Sequence, residues 1–567
     1  MPQGIMDRTL RDSVRSAVLP QKWDLTVGRD ALFTLGLTLA VTVGIIVRAF
    51  YILPSDFPLN DGGLFYRMVV DLKQAGYHLP DFTSYNAAGI PYAYPPLSFY
   101  IAAALSEAPI PLMDLLRYIP FVVSSATIVA FYLLARGFLS SRLAQITAVC
   151  AFALVPRSFT WSLMGGGLTR SFGLLFALLA LHQMHRLYTT GRSSYFVGAT
   201  LFCAGTVLSH LGTAPFLAFS ILLLLVFHAR TLHAVWTTLA VAAGTLLLTA
   251  PWWATVLATH GMAPFLAASA SGGSIFGDSE VRRGVLGLLA HLGVGSWYGS
   301  STGETLFPIV GTLALFGAIF SLVRMELFLP VWWLAILVLE PRAGSTYASI
   351  PVAMLAGMAM RDVVLPIVEG HRDGGARRPL LRDLRRPAIL VLALILSYAT
   401  ISALLKNFAL GSDLQHLAAL SAEERAAMAA AAARTAPSSR FLVIPETQWI
   451  AWEVDKTSEW FPVLTERVSV ATVQGSEWLP DREFIRRRNL WKELRACAAG
   501  IVTCIEDWSR HARMAYTHIY IPQPTLPGKD AYKLCCNLLI DSLKSDPRYT
   551  LIFDGPGALI FARRDRG

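Results

Sequence analysis

DFPLNDGGLFYRMVVDLKQAGYHLPDFTSYNAAGIPYAYPPLSFY, from Asp56 to Tyr100, follows directly on the first long apolar run of the chain. It is polar, aromatic and rich in Gly and Pro. It carries two carboxylates, Asp56 and Asp61, at the point where a helix leaving a membrane would emerge into water. Outside this stretch most of the sequence reads as membrane helix, with charges confined to short connections, so a loop of this composition is where chemistry should sit.

Composition sets the class. Of 567 residues, 54% are hydrophobic and only 15% charged, which is too apolar for one soluble domain. The length suffices for roughly ten spans of ~20 residues plus a folded domain. The formal net charge of +10 would suit a nucleic-acid partner, but the basic residues lie in short loops between apolar runs, the pattern that orients helices in a bilayer. Nucleic acid is therefore excluded as a partner, and membrane lipids are expected.

Residues 1–30 carry Arg8, Arg11, Arg15, Lys22 and Arg29 without the short apolar core and cleavage site of a signal peptide, so they are expected to stay cytoplasmic. Spans are then expected near 31–53, 114–135, 143–162, 168–187, 195–210, 213–228, 234–258, 304–323, 327–340, 346–362 and 387–405, eleven in all. Alternation from a cytoplasmic N-terminus puts Arg136 with Arg142, Arg186 with Arg192, Arg230, Arg324 and the basic run 369–387 inside, as the positive-inside rule asks. The long outer loops are 54–113 and 259–303, and residues 406–567 lie outside.

This C-terminal part changes character. A polar helical segment, SAEERAAMAAAAARTA (421–436), is followed by short β-like runs, FLVI, RVSVATV, THIYIP and YTLIFDGPGALIFAR, alternating with charged helical pieces such as DREFIRRRNLWKELRACAAG. The expectation is a polytopic α-helical membrane protein with an extracytoplasmic α/β domain. Four of six cysteines lie there, Cys497, Cys504, Cys535 and Cys536; Cys497 with Cys504 closes a small loop in an oxidising compartment or leaves inert thiols otherwise, and the spacing is poor for zinc.

Within the first outer loop, Asp61 stands between a helix end and Gly62-Gly63, which let another chain approach closely. A carboxylate fixed there can take a proton from a nucleophile at the interface, with Asp56 as alternate; equally, either aspartate can cap a helix. Phe65, Tyr66, Tyr77, Tyr85, Tyr92 and Tyr94 offer flat faces to sugar rings or to the membrane interface, and Tyr94-Pro95-Pro96-Leu97 forms a rigid, extended entry into the next apolar segment.

An acidic residue within NDGGLFY after the first span, followed by an amphipathic stretch ending in GIPYAYPPL, resembles the first outer loop of the GT-C superfamily. These are membrane glycosyltransferases with polyprenyl-phosphate-sugar donors, among them protein O-mannosyltransferases, aminoarabinose transferases and oligosaccharyltransferases. GGGLTRSFGLLFALLAL (165–181) and LEPRAGSTYASIPVAMLAG (339–357), the latter similar to a late P-R-x-x-x-Y-x-x-x-P segment, extend the resemblance over residues 30–405. It implies that Asp61 activates the acceptor or holds a metal, with Asp56 as helper, and that Arg342 and Arg170 are candidates to bind the lipid phosphate or else snorkel to headgroups. His210 would contact donor phosphate or sugar, or pack between helices. Asp278 and Glu280, in GGSIFGDSE, resemble a substrate-covering loop or form an ordinary turn.

MGGGLTR lacks the acidic pair of metal-dependent relatives, so a divalent cation is not favoured. The WWDxG-type sequence of oligosaccharyltransferases is missing, which argues against N-glycan transfer by that mechanism; Trp252-Trp253 is followed by Ala254 and reads as packing or belt. Trp449, Trp452, Trp460 and Trp478 suit carbohydrate contact or a domain core. The expected reaction is inverting transfer of a sugar from polyprenyl phosphate to an extracytoplasmic protein, lipid or glycan. The rivals are a non-catalytic assembly subunit of the same fold and a transporter.

Overall fold

The computed structural model describes residues 25–229, 231–271, 302–304, 306–340, 343–369, 385–408, 417–445, 452–523 and 536–564. The membrane part is built from α1 (Leu25–Ile52), the loop helices α2 (Gly63–Gln74) and α3 (Leu97–Leu105), α4 (Leu112–Phe138), α5 (Arg142–Leu154), a single turn α6 (Thr160–Leu163), α7 (Gly167–Thr190), α8 (Ser194–Ser209), α9 (Thr213–His228), α10 (Leu232–His260), α11 (Ala263–Ser271), α12 (Ile309–Val323), α13 (Phe328–Leu339), α14 (Gly344–Ala359) and α15 (Arg385–Phe408). A π-turn, Met360–Val364, carries α14 on to Glu369.

Four helical segments are long and apolar enough to cross a membrane: Asp30–Ile52, Leu112–Phe138, Leu232–His260 and Gly344–Ile367. The other expected spans are helical too, but they are shorter apolar helices of 10–17 residues or, in α7, a 24-residue helix bearing Arg170, His182, Gln183, His185 and Arg186. The expected span 143–162 is interrupted: α5 stops at Leu154, because Pro156 cannot continue its hydrogen-bond ladder, and the Ser158 hydroxyl donates to the Phe152 carbonyl at 2.6 Å. The break frees residues 156–166 to fold back toward the first outer loop.

Leu32, Leu35 and Leu39 on α1 and Leu246 and Leu247 on α10 face outward, as lipid-contacting leucines do, whereas α14 is buried on all sides. Small residues let the helices around it approach: a Cβ on Gly317 would overlap the Leu355 carbonyl, and one on Gly357 the Ala144 carbonyl. Charge is not confined to span ends. Arg48, on α1, is fully buried; it donates to Ser124 Oγ (3.2 Å), Gly44 O (3.0 Å) and Ala153 O (2.8 Å) and lies over the Phe159 ring.

The C-terminal part holds α16 (Ala422–Arg434), α17 (Lys456–Thr465), α18 (Glu483–Cys497), α19 (Val502–Ala512) and α20 (Asn537–Ser545). After a two-residue pairing in the first loop, β1 (Phe82–Thr83) with β2 (Ile90–Pro91), the remaining strands form one sheet. They are β3 (Arg440–Val443), β4 (Val468–Ser469), β5 (His518–Gln523), β6 (Tyr549–Gly555) and β7 (Gly557–Arg563), in the order β4-β3-β5-β7-β6. β3 runs parallel to β4 and β5, and β6–β7 is an antiparallel hairpin turning at Gly557 (φ +92°). Ser421 starts α16 as a capping box with Glu424. Cys497 and Cys504 form a disulfide that staples the end of α18 to the start of α19, while Cys150 and Cys203, in membrane helices, are buried free thiols.

One apolar cluster crosses from the membrane part into this domain. Phe57, Phe65, Tyr92 and Phe99 of the first outer loop pack with Leu168 of α7 and with Trp460, Phe461 and Tyr520. Residues 59–60 also pair with the chain leading into α16: Leu59 bridges Ala419, and the Asn60 amide donates to the Ala418 carbonyl at 2.9 Å. The first outer loop is thus clamped between the bundle and the α/β domain.

Candidate active site

Asp61 sits where three backbones meet. One of its carboxylate oxygens accepts the Gly166 N–H at 2.8 Å, at the start of α7, and the other accepts from the Arg170 guanidinium one turn further along. Both side chains are about 15% exposed. A carboxylate at a helix N-terminus meets the positive end of the helix dipole and its orphan N–H groups, so the position favours negative charge before Arg170 is counted.

The glycines on either side are dictated by this approach. The Gly165 amide donates to the Leu59 carbonyl at 2.8 Å, and a Cβ on Gly165 would overlap the Asp61 carbonyl. A Cβ on Gly166 would come within 2.6 Å of both the Asp61 carboxylate and the Arg170 guanidinium. Gly62 holds φ +123°, with its Cβ position 3.0 Å from Gly165 Cα. NDGG and GGG therefore form one joint.

From Arg170 a chain of polar and aromatic groups runs inward. The guanidinium lies 4.8 Å over the Trp161 ring and donates to the Trp161 carbonyl at 3.2 Å. Trp161 meets the His210 ring edge-on at 5.7 Å, His210 Nδ1 bonds Thr213 Oγ1 at 2.8 Å, and Thr213 Oγ1 bonds the Tyr347 hydroxyl at 2.9 Å. Tyr94 closes the other side: its hydroxyl lies 3.3 Å from Thr169 Oγ1, and its ring packs against Phe65, Phe99 and Trp478.

Residues 93–254, less than half of the chain, match the family model described as dolichyl-phosphate-mannose-protein mannosyltransferase. No curated protein matches by sequence. Among solved structures, the chain superposes on the oligosaccharyltransferase of Archaeoglobus fulgidus with a TM-score of 0.52 at 12% identity, covering 87% of this chain and 69% of that one. The arabinofuranosyltransferase AftD from Mycobacteria gives 0.52 at 15% identity, covering 94% of this chain and 41% of its own. ArnT from Cupriavidus metallidurans gives 0.49 at 14% identity, covering 95% and 98%.

The chain shares the fold of the first two of these proteins.

Within this fold, Asp61, Arg170, Tyr94 and His210 are gathered at one end of the bundle, with Asp61 paired directly to Arg170. Asp56 is not part of the group. It is 73% exposed and pairs with Arg425 of α16, which holds its carboxyl below the usual range and clamps the loop to the C-terminal domain. Arg342, Asp278 and Glu280 lie outside the described residues, as does Trp449. Trp452, Trp460 and Trp478 are buried, so these three serve the domain core and not carbohydrate contact.

The donor set around Asp61 does not fit a divalent cation. Both of its oxygens are engaged by a guanidinium and a backbone N–H, and an entering cation would sit against the like charge of Arg170. Among the described residues no three of His, Cys, Asp and Glu gather into a metal-sized group. Two openings lie elsewhere and do not include the pair. One, of about 290 Å³, lies between α11 and residues 479–485; the other, of about 300 Å³, has Tyr51, Asp56 and Ser421 on its wall.

Sequence reasoning missed Glu459, on α17 of the C-terminal domain. Its Oε1 accepts the Gly62 N–H at 2.8 Å, directly behind Asp61. Complete burial, together with the Asp61 charge, pushes its carboxyl up to about 8. Its segment, DKTSEWFP, holds no signal of its own beyond the Asp455 N-cap that starts α17, where Asp455 Oδ1 accepts the Ser458 N–H at 3.1 Å. Nearly 400 residues separate it from Gly62 in the chain, and only the tertiary fold brings the two together.

Proposed function

We propose that the protein is a membrane glycosyltransferase that moves a sugar from a polyprenyl-phosphate donor to an extracytoplasmic acceptor with inversion at the anomeric carbon. The observation that carries this is the Asp61–Arg170 pair at the joint of NDGG and GGG, in a chain of GT-C fold whose residues 93–254 match a mannosyltransferase family model. Asp61 takes the proton of the acceptor hydroxyl. Arg170, with Arg342 as second candidate, receives the phosphate as it leaves, a match of planar guanidinium to phosphate oxygens. In the resting state Arg170 is held by Asp61, so donor phosphate and carboxylate share one guanidinium, and donor binding loosens Asp61 for its role as base. His210, Thr213 and Tyr347 continue the polar chain inward from Trp161, behind the pair.

The same reading takes eleven helices through the membrane, the shorter ones included, with the N-terminus cytoplasmic and residues 406–567 outside. The Cys497–Cys504 disulfide supports an oxidising compartment for that domain.

The test is transfer of radiolabelled sugar from a panel of polyprenyl-phosphate sugars by purified protein in lipid, wild type against Asp61→Asn, with and without EDTA. Transfer abolished in Asp61→Asn and indifferent to EDTA is the expected result. A second reading, a non-catalytic assembly subunit, is favoured by the full engagement of both Asp61 oxygens in the fold. No transfer and no donor hydrolysis by folded wild-type protein over the whole panel would select it.

A further inference from the structure

Helix α2 begins two residues after Asp61 and has no cap of its own. Gly62 stands at its N-cap with no side chain to take the free N–H groups of the first turn, which cannot be left unbonded in a buried setting. The C-terminal domain supplies what the loop lacks. Glu459 accepts the Gly62 N–H at 2.8 Å. Around it the same segment grips the loop on both sides of Asp61. Trp460 Nε1 donates to the Asn60 carbonyl at 2.9 Å, Asn60 Nδ2 donates to the Glu453 carbonyl at 3.1 Å, and the Tyr85 hydroxyl donates to the Glu459 carbonyl at 2.7 Å. The fit leaves no slack: a Cβ on Gly63 would lie 2.8 Å from the Glu459 carbonyl.

We propose that Glu459 is a positioning residue for Asp61: its carboxyl caps α2 from another domain and so fixes the turn 60–63 that holds Asp61 against Arg170. This rests on the reading of Asp61 as the base. Two outcomes separate the cap from a mere packing contact. First, a cap acts through hydrogen bonds that glutamine preserves and alanine removes. Second, Glu459 is faced by Asp61 and Tyr85 of the first outer loop and by Arg170 of α7. Its ionisation brings a second negative charge up to Asp61 and must register in the reaction.

The experiment compares wild type, Glu459→Gln and Glu459→Ala in lipid by amide hydrogen exchange over residues 60–74, by kcat and donor KM, and by the pH profile of kcat/KM. In Glu459→Ala the amides of 62–66 should exchange about tenfold faster or more, and kcat should fall about tenfold, with donor KM changed less than about threefold, since a lost cap is a loss of roughly that size. Glu459→Gln should keep both within about threefold of wild type and lose an inflection near pH 8 that wild type shows. Unchanged exchange in Glu459→Ala, faster exchange with unchanged kcat, or Gln as damaging as Ala would each overturn the assignment. Exchange that rises in Glu459→Ala while wild type transfers no sugar would overturn the transferase reading instead and leave Glu459 a structural cap.

Discussion

Arg170 bonds a carboxylate, a backbone carbonyl and an indole face at once. Lysine keeps the charge but not the planar fork, so Arg170→Lys should lower kcat/KM for the donor about ten- to a hundredfold, the scale of lost hydrogen bonds to a charged group. Steady-state transfer at varied donor concentration checks it. Glu459 gives a stability prediction with a definite sign. Its folded value of about 8 lies above its ordinary 4.5, so the folded state holds a proton that the unfolded chain has already released. Unfolding then releases protons throughout that window, and stability should fall as pH rises from about 5 to about 8. Glu459→Gln, which keeps the Gly62 bond and cannot titrate, should flatten this part of the Tm-versus-pH curve in detergent. At this scale the sequence offered Asp61 and Arg170 as separate candidates. Nothing in it joined them, or tied either to Glu459, because the partners are 109 and 397 residues apart.

Among the elements, the break after α5 matters most. Pro156 ends the helix, the short turn Thr160–Leu163 follows, and GGG lets α7 start directly beneath the first outer loop. The Gly165 position has no room for a methyl group, so Gly165→Ala must push the two loops apart. The expected cost is about 1–3 kcal/mol, the usual penalty for forcing atoms into a filled site, read as a lower Tm with the Asp61–Arg170 contact weakened and transfer reduced. An unchanged Tm would mean that the joint is looser than the geometry has it. Residues 143–162 read as one span because their apolar content is continuous. Hydropathy does not register that a single proline breaks the helix and turns the last third toward the site.

For the whole molecule, the main consequence is that the α/β domain and the bundle share a core around the first outer loop, through Phe57, Trp460 and Phe461. Domain and loop should therefore lose structure together. The disulfide gives both an energetic and a topological check. Closing a loop of this size stabilises by about 2 kcal/mol in the chain-entropy account, so Cys497→Ser with Cys504→Ser should lower the Tm of the domain by a few degrees. In intact cells a membrane-impermeant reductant should open it to alkylation, if residues 406–567 are extracytoplasmic. Thiols already reduced before treatment would reverse the proposed orientation.

The class of the molecule follows from the sequence alone. Long apolar runs must be membrane helices, because only a helix satisfies its own backbone in lipid. Alternating β-like runs after residue 436 pointed to a sheet, and Gly62-Gly63 marked a place where another chain could approach closely. These are local properties, readable residue by residue. The tertiary structure alone decided that Asp61 pairs with Arg170 while Asp56 goes to Arg425, that Trp452, Trp460 and Trp478 are buried, and that the C-terminal domain reaches back to cap α2 with Glu459. Each of these depends on which distant backbones fit against one another, and that fit is set by packing of the whole chain and not by any stretch of it.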